Sequence, residues 1–111
     1  MLAAPDWMKV ELAHTFWKRS GAGHFEAEIA QRNLASVGDL FDHIIPVSDL
    51  MPMALGLAFE LDHWVYDCLY LACALQEGAP LLTADRKFWN AAKRGGYGDV
   101  VELLTWEGRS E

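Results

Sequence analysis

VYDCLYLACALQEGAPLLTADRKF, residues 65–88, joins two patterns end to end. The first is an apolar run of helical length that closes at Gly78. The second, APLLTAD, reads as a short buried strand that turns directly into the helix RKFWNAAKR, which Gly95 and Gly96 close. A helix, a strand and a helix in succession predict a layered α/β domain with a parallel sheet. In such sheets ligands gather beyond the carboxyl ends of the strands, and Asp85 sits directly after LLTA.

The rest of the chain extends the alternation. Residues 5–20 carry a helical pattern that opens near Pro5 and stops at Gly21 and Gly23. A second helical stretch covers about residues 24–43, with Phe25, Ile29, Leu34, Val37, Leu40 and Phe41 as its apolar members. IIPVS, residues 44–48, is strand-like, and Pro46 marks it as short or at an edge. Residues 50–61 return to a helix with Pro52 near its start, and VVELL, residues 100–104, forms a last strand.

At 111 residues the chain suits a single domain. Apolar residues make up 52% and charged residues 23%, a globular balance. Its apolar runs fall short of the roughly 20 residues a membrane helix needs, and MLAAPDW lacks the basic start of a secretory signal. A soluble cytoplasmic protein is expected, with Cys68 and Cys73 reduced and buried. The net charge of −7 excludes a protein that coats nucleic acid with its whole surface. Even so, Arg86, Lys87, Lys93 and Arg94, four of the nine bases, fall close together, as either a solvated helix face or a local phosphate grip.

Three acids stand out by context. Asp67 is the only carboxylate in WVYDCLYLACAL, where burial is costly unless the group is paired, protonated or metal-bound. Asp85 lies at a strand-to-helix junction, and Glu11 sits in the first helix among Trp7, Met8, Leu12, Phe16 and Trp17. Taken singly, each has a plain structural role: a helix-dipole partner, an N-cap and a solvated glutamate. Taken together, they repel unless a cation lies among them. Oxygen ligands with no companion Cys or His set favour Mg²⁺ or Mn²⁺, ions suited to phosphodiester hydrolysis by activated water. His14, His24, His43 and His63 have no metal-ligand spacing, so surface or packing roles are expected. Core or interface packing is also expected of the five tryptophans and of Met51, Met53, Leu55 and Leu57.

PDWMKVELAHTFWKR, followed by VYDCLYLACALQEGAPLLTADRKF, resembles the sequence blocks of PIN-domain proteins, specifically VapC-type toxins of toxin–antitoxin pairs. The likeness runs through nearly the whole chain in order. It implies a three-layer α/β/α domain with a mostly parallel sheet. It also implies a Mg²⁺- or Mn²⁺-dependent ribonuclease held in check by a small antitoxin protein. Glu11, Asp67 and Asp85 fall on the family's metal-binding acids, and Thr83 on the hydroxyl residue that accompanies the last of them. Arg86 and Lys87 are expected to contact RNA phosphates by position.

The family's opening hydrophobic strand, with its own aspartate, has no counterpart here, and Asp6 does not occupy that place. The expectation is therefore an N-terminally truncated PIN-like domain over residues 1–111. An exposed sheet edge would favour a homodimer or larger assembly. The competing reading is a catalytically inactive relative that acts as a protein-interaction module.

Overall fold

The computed structural model describes residues 3–21 and 26–104. The chain divides into two compact units, Met1–Val47 and Ser48–Glu111. The fold is mixed α/β, and its short strands pair in parallel as two two-stranded sheets rather than one continuous sheet.

The first unit runs β1 (Ala3–Pro5), α1 (Trp7–Gly21), α2 (Ala27–Val37), a 3-10 turn (Gly38–Leu40) and β2 (His43–Ile45). Strand β1 pairs with β2 in the register Ala3 to His43, Ala4 to Ile44 and Pro5 to Ile45. The sequence pattern gives no strand here, because three residues carry no alternation to read. Their pairing is supplied by a segment far along the chain. Asp6 seals the junction. Its N–H donates to the Ile45 carbonyl at 2.9 Å, and its Oδ1 accepts from the Val47 N–H at 2.9 Å. That second bond satisfies a donor at the start of the next helix. The helix therefore begins three residues earlier than its sequence suggests, and Pro52 lies inside it. The long helix expected over residues 24–43 is shorter, because the chain turns at Gly38–Leu40 and is extended by Phe41. His24, Phe25 and Trp106 lie outside the described residues.

The second unit contains α3 from Ser48 onward (Val47–Leu61), α4 (Val65–Glu77), β3 (Leu81–Thr83), α5 (Arg86–Arg94) and β4 (Val101–Leu103). Leu50, Ala54, Leu57 and Leu61 form one buried stripe of α3 at helical spacing. Met51, Met53, Leu55 and Phe59 lie outside that stripe and are exposed, Phe59 at 80%, so Met51, Met53 and Leu55 are not part of this unit's core. Trp17 and Trp64 are likewise exposed, the Trp17 ring stacked on His14 with centroids 5.7 Å apart. Helix α4 is buried on most sides, through Cys68, Leu69, Leu71, Ala72, Cys73 and Ala74.

Strand β3 pairs with β4 from Leu81–Val101 to Thr83–Leu103 and contacts both α4 and α5. Leu82 is 55% exposed, and Leu81 and Thr83 on the other face are half-buried, so the strand is less buried than its apolar sequence suggests.

The helices of this unit share one kind of ending. Helix α4 ends with Gly78 at φ 64°, and the Ala79 N–H donates back to the Ala74 carbonyl at 3.0 Å. Helix α5 ends with Gly96 at φ 94° and the Tyr97 N–H on the Ala92 carbonyl at 2.8 Å. In both, glycine takes the left-handed position that a β-carbon disfavours. Helix α3 makes the same turn without a glycine. Asp62 adopts φ 50°, and the His63 N–H donates to the Ala58 carbonyl at 3.1 Å. Asp62 is the one non-glycine residue with positive φ among the described residues.

Both cysteines are free and buried. Burial first, and the Asp67 charge second, push the Cys68 thiol up from 9.0 to about 11. Burial and then Glu77 raise Cys73 as well. A thiol whose folded value is raised favours folding fully below its ordinary value near 9.0, and loses that contribution as pH rises through the folded value. Stability is therefore expected to fall from about pH 9 towards pH 11, with the Cys68→Ala, Cys73→Ala double variant losing less over that window. Denaturant melts from pH 8 to 11 check this, and identical slopes for both proteins would contradict it.

Candidate metal centre

Three side chains of the second unit converge: His63, Asp67 and Asp85. Each offers one ligand atom, and these atoms all lie within 4.8 Å of one another. This is the one group of three or more candidate ligands found among the described residues.

Local structure explains how each arrives there. The left-handed turn at Asp62 ends α3 and swings the chain so that His63 lies just before α4. Asp67 follows in the first turn of α4, where a carboxylate is favoured by the helix dipole. His63 and Asp67 are four residues apart, and the His63 Nε2 lies 2.7 Å from Asp67 Oδ2. The His63 side chain is only 8% exposed and its ring rests on Phe88 with centroids 4.9 Å apart. Asp67 is 41% exposed, so the desolvation cost suggested by its apolar sequence neighbours is largely avoided.

Asp85 is the N-cap of α5. Its Oδ1 accepts from the Lys87 N–H at 3.0 Å and the Phe88 N–H at 3.2 Å, while its own N–H donates to Thr83 Oγ1 at 3.1 Å. Thr83 thus acts on the backbone that carries Asp85. Both capping bonds use the same carboxylate oxygen, and the carboxylate itself is exposed. Phe88 contributes twice, through its N–H to Asp85 and its ring to His63.

The other sequence-derived candidates divide by position. Glu11 is exposed on α1 in the first unit. Arg86 and Lys87 occupy the first turn of α5, exposed and adjacent in sequence to Asp85. Lys93 lies over the Trp89 ring at 4.1 Å, so at least one member of the basic cluster is engaged with an aromatic face. His63 packs against Phe88, in keeping with the packing role expected of the histidines, and its ring also faces Asp67. Its only trace in the sequence is the four-residue interval to Asp67, which carries meaning once the turn between α3 and α4 is known.

Chemically, two carboxylates and an imidazole form a mixed oxygen and nitrogen donor set suited to a divalent cation. No protein-family model and no curated protein matches the chain.

The cap can be separated from any ligand role. Asp85→Ala removes the acceptor and is expected to destabilise the fold by about 1 kcal/mol, whereas Asp85→Asn keeps an acceptor and stays within a few tenths of wild type. Urea unfolding in EDTA checks this, and equal losses for both variants would contradict it.

Proposed function

We propose that the chain is a PIN-domain, VapC-type ribonuclease that hydrolyses RNA phosphodiester bonds with Mg²⁺ or Mn²⁺. The observation that carries this reading is the convergence of Asp67 and Asp85, brought together from the starts of two different helices. These are two of the three acids, with Glu11, that the sequence resemblance assigns to the metal. A divalent ion between them would supply the acidity and charge neutralisation that phosphodiester hydrolysis needs.

The chain's own groups account for the remaining roles. Asp85 is held rigidly by the backbone of α5, and Thr83 fixes the turn before it. Arg86 and Lys87 place positive charge directly after Asp85, where an RNA phosphate would be drawn in against the net acidity of the molecule. A cytoplasmic setting suits the two free thiols. No helix among the described residues is long and apolar enough to cross a membrane.

RNA cleavage in Mn²⁺ is the test. Wild type is expected to cut, and EDTA to stop it. Asp67→Asn and Asp85→Asn should each lose at least about 100-fold, the upper end of what changes around a metal site cost. Glu11→Gln probes the third acid that the resemblance assigns. A folded wild type with no metal-dependent cleavage would overturn the assignment.

The exposed apolar side chains of α3, Met51, Met53, Leu55 and Phe59, support the expectation of a protein partner, either a second copy or an antitoxin. They equally suit the alternative of a non-catalytic interaction module. Light scattering of the purified chain is expected to report a dimer that Phe59→Lys weakens. A stable monomer at high concentration would count against self-association.

A further inference from the structure

We infer that His63 is a direct ligand of the cation held by Asp67 and Asp85, and that this nitrogen makes the site prefer Mn²⁺ over Mg²⁺. The inference rests on the reading of the two aspartates as a cation site, and adds to it a residue and a selectivity.

The geometry points there on several counts. The His63 ligand atom lies within 4.8 Å of those of both aspartates. Its side chain is more than nine-tenths buried, yet it is directed at two carboxylates that are themselves open to solvent. The ring is held against Phe88, and its backbone by the bond to Ala58. The same ring presents Nε2 to Asp67 at 2.7 Å, on the side of the two carboxylates. Two ligands of one octahedral ion in neighbouring positions lie about 3 Å apart when each is about 2.1 Å from the metal. The His63–Asp67 separation therefore needs to open by only a few tenths of an ångström to admit one. The neutral ring offers Nε2 as an acceptor when its proton is on Nδ1.

The selectivity follows from donor chemistry. Mg²⁺ takes oxygen ligands almost exclusively and keeps much of its water shell. Mn²⁺ is larger, softer and less tightly hydrated, so it loses less than Mg²⁺ on exchanging a water oxygen for an imidazole nitrogen. Carboxylates alone would discriminate little between the two ions, whereas one imidazole among three protein ligands shifts the balance to Mn²⁺.

Pulsed electron paramagnetic resonance of the 111-residue chain loaded with Mn²⁺ tests this directly. Wild type is expected to show ¹⁴N modulation from a coordinated imidazole. His63→Gln should lose that modulation and bind Mn²⁺ about tenfold or more weakly, with Mg²⁺ affinity changed less than about twofold. The ¹⁴N modulation is read on the wild-type protein itself, so it reports the coordinated nitrogen even if the variant does not fold. Mn²⁺ binding that depends on Asp67 and Asp85 but shows no nitrogen modulation would overturn the role of His63 and leave the cation site standing. Absence of Mn²⁺ binding by folded wild type would overturn both.

Discussion

Helix α5 begins on the side chain of Asp85, and the second unit's candidate site depends on that beginning. One carboxylate oxygen accepts from the backbone of Lys87 and Phe88, which fixes both the direction of the helix and the position of the acid. Phe88, once placed, carries its ring to His63. His63 in turn meets Asp67 at the start of α4. A cap bond of modest energy is thus the first link in a chain of contacts joining three elements. The N–H of Asp85 is tied to Thr83 at the end of β3, so the sheet sets where the cap forms.

The same arrangement settles how a carboxylate fits in so apolar a run. Helix α4 buries six residues from Cys68 to Ala74, while Asp67 precedes them in the first turn, close to the helix end and partly open to water. Amino-acid sequence places Asp67 among hydrophobic neighbours, but a helix spreads those neighbours around its axis and along its length. The cost of the charge is met by exposure, by the helix dipole and by one imidazole. Its effect reaches Cys68, whose thiol burial and the adjacent charge together hold protonated.

Long-patterned elements were legible from sequence. Helices α1, α4 and α5, and strands β3 and β4, follow from apolar runs, glycine stops and the aspartate before RKF. What escaped has identifiable physical causes. Strand β1 has three residues and owes its pairing to residues about forty positions away. The early start of α3 comes from the Asp6 side chain, a cap borrowed from outside the local sequence. Of the three acids singled out in the sequence, Asp67 and Asp85 lie together in the second unit, and Glu11 belongs to the first. His63 was invisible for a different reason. Its relation to the site runs through a left-handed aspartate, in a position where glycine or asparagine is the usual signal.

The two parallel pairings also differ in how much chain each must close. Leu81 meets Val101 across a single helix, whereas Ala3 meets His43 across two helices and a loop roughly twice as long. Doubling a loop adds about 0.6 kcal/mol of closure entropy. Chain entropy therefore favours the β3–β4 pairing during folding, so the β3–α5–β4 crossover is the cheaper nucleus of the two. The residues that organise Asp85 belong to that segment, which ties the candidate site to the part of the chain with the shorter search.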